Sequence, residues 1–212
     1  MSASRRQSPP FVRRIAVGCA LALFAAASVG AQGNAPLGYQ WLQAVKEQDD
    51  AKLYKISSQN QGALNAAVLD YQSDGEGAIH VAIRQGNRRY VEIMLGLGAS
   101  ANSVADKSGE TPLTLAILAD KSDLVPILLR FGARIDAANR GGETPLTKAV
   151  RQHNQPLVQL LLTRGADPDK GDYTGKTART YAVSETRYPE IAKLLAAAPK
   201  RNARPAAGPR LN

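Results

Sequence analysis

The segment SGETPLTLAI at residues 108–117 returns as GGETPLTKAV at residues 141–150. Related segments begin at Gly77 (GAIHVA) and Thr177 (TARTYA), so together with Thr111 and Thr144 the four starts are almost evenly spaced. A Gly-Ala pair follows each of the first three starts at the same offset. A fixed period of about 33 residues predicts a stack of repeated structural units.

The repeated residues are those that begin and pack helices. Thr111 and Thr144 each precede a proline and an apolar run, which is the pattern of a helix N-cap with proline at the first helical position. A second apolar segment in each unit ends at Gly98, Gly132 or Gly165, where a left-handed C-cap is expected. Each unit is therefore predicted to be a pair of helices whose apolar faces are buried only by neighbouring units.

These segments resemble ankyrin repeats, whose unit is a hairpin-like turn and two antiparallel helices with a T-P-L-H-x-A signature. The resemblance implies an all-α solenoid of stacked helix-turn-helix units. The four clear units are at about 74–105, 106–138, 139–171 and 172–198. His80 stands at the His of the signature, and the resemblance implies that it ties one turn to the next. Arg179 replaces the core Leu of the last unit, which indicates a capping repeat whose outer face meets water.

The segment at residues 39–59, YQWLQAVKEQDDAKLYKISSQ, resembles a degenerate helix pair with Trp41 and Val45 facing the core. We therefore assign residues 39–73 to an N-terminal capping repeat. Residues 32–38 are assigned to a linker that precedes it. The whole stack is expected to be a monomer.

Residues 1–31 have the features of a secretory signal peptide. Two arginine pairs precede an apolar run, Ile15–Val29, and small residues precede Gln32. A spanning helix would need about 20 apolar residues, so cleavage near Ala31 and a periplasmic or secreted protein are predicted. An uncleaved membrane anchor is the main alternative. A twin-arginine signal and a lipoprotein site at Cys19 fit less well, because the residues that follow the arginine pairs and those that precede Cys19 do not match these signals.

The charge of the chain is concentrated at its ends. The net charge is +9, but four arginines lie before residue 32 and four basic residues lie in the last thirteen, with no acidic residue in either segment. The basic and acidic residues between these two segments nearly balance. A nucleic-acid partner is therefore not expected. Residues 199–212 are predicted to be a disordered basic tail.

Groups suited to catalysis are few. Cys19 is the only cysteine and would be removed with the signal, and His80 and His153 are the only histidines. No nucleophilic triad, zinc motif or phosphate-binding glycine motif is present, so we expect no enzyme, metal or cofactor. Glu110 and Glu143 are equivalent positions on adjacent units. Their recurrence is interpreted as solvated residues beside the turn glycines rather than as an acid and base pair.

The resemblance implies a contact surface, because the turns and first helices of ankyrin stacks form a concave face that binds proteins. The candidate partner-binding residues are Asp74, Glu76, Arg84, Gln85, Lys107, Glu110, Leu118, Arg140, Glu143, Arg151, Gln152, Tyr173 and Lys176. Mixed charge with Tyr and Arg favours a protein partner. The alternative is an electrostatic binder of an anionic membrane surface or partner, acting through the basic tail.

Overall fold

The computed structural model describes residues 35–60, 63–105, 109–184 and 187–200. Within these ranges the helices are α1 (Leu37–Glu47), α2 (Asp50–Gln59), α3 (Ala66–Leu69), α4 (Ala78–Gln85), α5 (Arg88–Gly96), α6 (Pro112–Leu118), α7 (Val125–Arg130), α8 (Pro145–Arg151), α9 (Gln155–Thr163), α10 (Ala178–Ser184) and α11 (Pro189–Ala197). A 3₁₀ turn at Ser122–Leu124 leads into α7. The strands β1 (Gln72–Ser73) and β2 (Glu76–Gly77) form an antiparallel hairpin before α4, with Gln72 opposite Gly77.

The helices form a linear stack of pairs. The first helices α1, α4, α6, α8 and α10 contact one another in sequence order, and each of α4, α6, α8 and α10 also packs on the second helix of its own unit. One apolar core runs through the whole stack. Its fully buried side chains include Leu42, Ile79, Leu113, Leu128, Leu146, Leu161 and Leu195. The predicted all-α solenoid of stacked helix-turn-helix units is confirmed.

The predicted helix ends are also confirmed. Oγ1 of Thr111 accepts the backbone N–H of Thr114 at 3.3 Å, and Thr144 caps α8 in the same way at 3.1 Å. The three glycines that end the second helices have positive φ values of 98°, 82° and 87°. The left-handed residue between the two helices of a unit is Gly86, Asp120 or His153, so this turn does not require glycine.

The N-terminal pair packs as predicted, with Trp41 2% and Val45 1% exposed. Helix α1 begins at Leu37, two residues before the predicted boundary, and Gln40 donates its backbone N–H to the carbonyl of Pro36. Pro36 therefore takes the position before the first turn, where a residue that cannot donate a backbone N–H is tolerated. Asp49 caps α2 by accepting from the N–H of Lys52 at 2.9 Å.

The last unit forms the end of the stack and carries a polar side chain there, that of Arg179, as the sequence indicated. Nε of Arg179 lies 2.7 Å from Oδ1 of Asp169, and its guanidinium also donates to the carbonyls of Leu195 and Ala198. These carbonyls lie at the end of α11, where intrahelical partners are lacking, so Arg179 caps that helix. Val183, in the first helix of this last unit, is 74% exposed.

Several predictions concern residues outside the described ranges. The signal segment, part of the linker up to residue 34, and the basic tail from residue 201 are among them. Lys107, one of the predicted contact residues, is another.

Candidate functional site

The predicted contact residues that the structure describes occupy the turns before the first helices and the C-terminal ends of those helices. Exposed members are Asp74, Arg84, Leu118, Arg140, Arg151, Gln152, Tyr173 and Lys176; Glu76, Gln85 and Glu143 are partly buried, and Glu110 is buried. Ion pairs from Glu76 to Arg84 and from Glu143 to Arg151 join a turn to a helix end. Turns and helix ends therefore share one surface, which we call the first-helix face.

The first-helix face has an apolar position between two arginines. Arg84, Leu118 and Arg151 are equivalent in successive units, at the end of α4, α6 and α8. The two arginines pair with a glutamate of their own turn. Leu118 is 46% exposed, so the middle unit presents an alkyl group in a row of paired charges. Buried apolar contacts inside a polar rim are typical of protein interfaces.

The prediction that Glu110 and Glu143 are solvated is wrong. Glu110 is only 5% exposed, and the side chain of Glu143 is 19% exposed. Lys148, itself 6% exposed, lies between them, with Nζ 3.1 Å from Oε1 of Glu110 and 3.1 Å from Oε2 of Glu143. Because a buried charge is costly without an opposite charge, the lysine explains why both carboxylates can leave water. The cluster joins the second unit to the third.

The electrostatics of Glu143 do not suit a general base. Burial acts to raise its pKa, but the hydrogen bonds from Lys148 and Asn139 and the charge of Arg151 outweigh burial and lower the pKa. Nδ2 of Asn139 lies 3.0 Å from Oε1 of Glu110 and 3.2 Å from Oε2 of Glu143. A carboxylate with a lowered pKa is a weak base, so Glu143 is suited to an ion pair rather than to proton transfer.

Gln85 and Gln152, which are predicted to contact a partner, also bind the preceding unit. Nε2 of Gln85 donates to the carbonyl of Lys46 at 3.2 Å, and Nε2 of Gln152 donates to the carbonyl of Ile117 at 2.9 Å. Both carbonyls lie near the end of the preceding first helix, where orphan acceptors are expected. The glutamines therefore connect successive first helices.

An aromatic and cationic group lies at the C-terminal end of the first-helix face. Arg151 and Lys176 lie 5.8 and 5.6 Å from the ring centroid of Tyr181, within the range of cation–π contacts. The hydroxyl of Tyr181 donates to Oδ2 of Asp172 at 2.7 Å. Hydrogen bonds from Thr174 and Tyr181 lower the pKa of Asp172 to about 2. Tyr173 beside this group is 81% exposed.

Sequence reasoning missed Lys148 and Tyr181. They share one position of the repeat with Val81 and Leu115, which are 9% and 8% exposed. A lysine and a tyrosine at a position that is otherwise apolar break the helical pattern, and this break was the available signal. Their partners were not predictable from the pattern, because a long side chain can reach across to another unit.

His80 has the structural role that the resemblance implied. Its side chain is fully buried, and Nε2 donates to the carbonyl of Ser103, 3.3 Å away in the loop that leads to the second unit. Burial lowers the pKa of His80, although the hydrogen bond to Ser103 opposes the shift. Burial therefore favours the neutral form of the ring in the folded state.

Because the pKa of His80 is lower folded than unfolded, acid should destabilise the protein through this residue. Below a pH of about 6.5 the unfolded chain binds a proton that the folded chain does not, and stability falls by at most about 1.4 kcal/mol per pH unit until the folded pKa is passed. The His80→Gln variant should lose this part of the slope. Urea unfolding of both proteins between about pH 7 and pH 5 measures it. Equal slopes would contradict the assignment.

The described residues contain no group of three or more His, Cys, Asp or Glu side chains placed to hold a metal ion. In the same ranges, none of the helices has both the length and the apolar character needed to cross a membrane.

Comparisons with known proteins agree with this fold. A family model described as ankyrin repeats (3 copies) matches residues 41–139 and, overlapping these, residues 120–205. Two curated relatives are similar over part of the chain. The E3 ubiquitin-protein ligase KEG of Arabidopsis thaliana is 33% identical over 84 residues, which are 39% of this chain and 5% of that protein. The B-cell lymphoma 3 protein homolog of Mus musculus is 33% identical over 82 residues, which are 39% of this chain and 18% of that protein.

The similarity is confined to a small part of each relative, so the chain corresponds to less than a fifth of either protein. The family model, by contrast, covers well over half of this chain. The even spacing of the units, the capped first helices and the stacked pairs agree with that match. The chain belongs to the ankyrin-repeat family, whose members are generally protein–protein interaction modules.

Proposed function

We propose that this chain is a non-catalytic module that binds a partner protein through the first-helix face. The observation that carries the proposal is the set of exposed side chains on this face, with Leu118 between two arginines and Tyr173 at a turn. Aromatic residues and arginines supply most hot spots of protein interfaces. The partner is expected to cover several units at once, so that many small contacts add up.

The buried network supports this role, because it makes the face rigid. Lys148 joins Glu110 and Glu143, and the two glutamines bind the preceding helices. A binding surface that is already ordered loses less conformational entropy when its partner arrives. The ligase activity named for the Arabidopsis relative is not proposed here, because only 5% of that protein is similar to this chain.

The test is affinity capture with the full chain and substituted forms of it. Tyr173→Ala and Arg140→Ala change exposed residues of the face and should reduce recovery of one specific protein by about tenfold each. Arg164→Ala, at the exposed end of a second helix, is the matched control and should recover the same amount as wild type. Equal recovery with all three variants would contradict the proposal.

The second candidate function, an electrostatic contact through the basic tail, is motivated by Lys200, Arg201, Arg204 and Arg210. Binding through these charges should weaken strongly when salt is raised from about 50 to 200 mM, because the Debye length shortens. It should also disappear in a chain that ends at Ala198. Binding through the first-helix face should survive both changes.

We also propose that the chain is exported and cleaved near Ala31, which leaves it in the periplasm or outside the cell. The basic and apolar organisation of residues 1–31 supports the proposal. Cell fractionation followed by N-terminal sequencing is the test. A mature chain that begins at Gln32 is expected, whereas an intact N-terminus in the membrane fraction would favour the uncleaved anchor.

A further inference from the structure

A small pocket opens on the second helices of the first two pairs, away from the first-helix face. It has a volume of about 140 Å³ and lies between α1 and α2 on one side and α5 on the other. Its lining residues are Trp41, Val45, Asp50, Leu53, Tyr54, Ser57, Arg89, Tyr90, Ile93 and Met94. None of them belongs to the candidate partner-binding residues. The pocket is therefore independent of the proposed function.

The size and lining of the pocket fit one aromatic ring. An engineered apolar cavity of about 150 Å³ is known to hold benzene, whereas drug-sized ligands occupy at least about 300 Å³. Trp41 and Met94 are 2% and 1% exposed, so the inner wall is an indole and a thioether, both of which contact aromatic rings favourably. Tyr54 and Ile93 are 76% and 43% exposed and extend the apolar surface beyond the pocket.

Polar groups of the lining leave hydrogen-bond donors available. Asp50 accepts the hydroxyl of Tyr90 on Oδ1 at 2.6 Å and Nη1 of Arg89 on Oδ2 at 3.1 Å, so both carboxylate oxygens have donors. The side chain of Arg89 is 71% exposed, and within the described residues its only hydrogen-bond and ion-pair partner is Asp50. The buried Nε1 of Trp41 also has no hydrogen-bond partner there.

We propose that this pocket binds the aromatic side chain of a partner polypeptide that carries a carboxylate next to that side chain. The ring fills the space against Trp41 and Met94, and Arg89 donates its remaining N–H groups to the carboxylate. A single inserted ring with flanking contacts on Tyr54 and Ile93 is the usual arrangement of an interface anchor. Both oxygens of Asp50 already accept hydrogen bonds from Arg89 and Tyr90, so the remaining N–H donors of Arg89 favour an acidic neighbour of the ring over a basic one.

Trp41 is the only tryptophan of the chain, so its fluorescence reports binding at the pocket. The probes are the peptide acetyl-Gly-Phe-Asp-Gly-amide, its counterpart with Lys in place of Asp, and N-acetylphenylalanine. We expect the acidic peptide to change the emission of Trp41 saturably in the full chain. The basic peptide should bind at least about threefold more weakly.

Three variants locate the binding. Ser57→Phe places a ring in the pocket and should raise the dissociation constant of the acidic peptide at least about tenfold, whereas Ser58→Phe, one residue away and outside the lining, should leave it unchanged. Arg89→Gln should remove the preference for the acidic peptide. The melting temperature of each variant, followed by circular dichroism, excludes unfolding as the cause.

Several outcomes would overturn the proposal. One is no saturable response to the acidic peptide in a wild-type chain that is folded. Another is equal affinity of the wild-type chain and the folded Ser57→Phe variant. Binding of N-acetylphenylalanine without binding of either peptide would assign the pocket to small aromatic acids. A change in Trp41 emission with protein concentration alone would assign it to a second copy of the chain.

Discussion

Replacing Lys148 with methionine should lower the free energy of unfolding by about 3 kcal/mol, because the buried Glu110 then loses the cation beside it. The length of the side chain is nearly kept, and Leu115 shows that an apolar residue fits this position of the repeat. The loss should therefore come from charge rather than from packing. Urea unfolding at pH 7 measures it, and an unchanged m-value indicates that the same surface is exposed on unfolding.

Substitution of Glu110, alone and together with Lys148→Met, separates the effect of charge on stability from the effect of packing. Glu110→Gln alone should cost about 1 kcal/mol, since Lys148 keeps Glu143 at 3.1 Å. In the double variant the buried carboxylate of Glu110 is gone, so most of the cost of Lys148→Met should be recovered. The coupling free energy between the two substitutions, measured by a double-mutant cycle, should then exceed about 1 kcal/mol. Additive effects would show that Lys148 stabilises the stack through its packing and not through its charge.

The fold was predictable from the sequence because each unit repeats its own signals. Thr111 and Thr144 are equivalent residues of successive units, and both cap helices as their position before proline indicates. The glycines that end the second helices were predictable for the same reason, since the left-handed conformation favours that residue. Repetition turns a weak local signal into a strong one, because several copies must agree.

The candidate site was only partly predictable, because its contacts cross from one unit to the next. Leu118 and Tyr173 are exposed, so both are accessible to a partner, and their contact with it stays a prediction. Glu110 was misread because its partner, Lys148, lies in the next unit and is distant along the chain. A helical period reports which face of a helix is apolar, but not which long polar side chain reaches an adjacent repeat. Such contacts require the geometry of the stack.

Stacking between turns should make one glycine far more sensitive to substitution than its equivalent in the next unit. Gly142 and Gly175 have the same φ of 79° and hold the same position of successive units. A Cβ at Gly142 would lie 2.7 Å from the backbone N of Tyr173, whereas a Cβ at Gly175 would meet nothing within 4 Å. The backbone N–H of Tyr173 donates to the carbonyl of Gly141 at 3.2 Å, so the two turns are bonded at this point.

We therefore expect Gly175→Ala to cost about 1 kcal/mol of unfolding free energy, from the left-handed conformation alone. Gly142→Ala should cost about 3 kcal/mol, because the added methyl group also forces the turn of the last unit away. Urea unfolding of the two variants beside wild type gives the difference directly. Since both substitutions add one methyl group at the same φ, that difference isolates the contact between turns, and equal losses would contradict it.

The same pair of variants tests whether stacking positions the first-helix face. Gly142→Ala displaces the backbone of Tyr173, which is 81% exposed and belongs to the proposed contact surface. Partner affinity should therefore fall with Gly142→Ala at temperatures where the variant remains folded. Gly175→Ala lies on the other side of Tyr173 and leaves the contact with Gly141 intact, so it should bind nearly as wild type does. Equal affinities of the two variants would mean that Tyr173 binds its partner without support from the preceding turn.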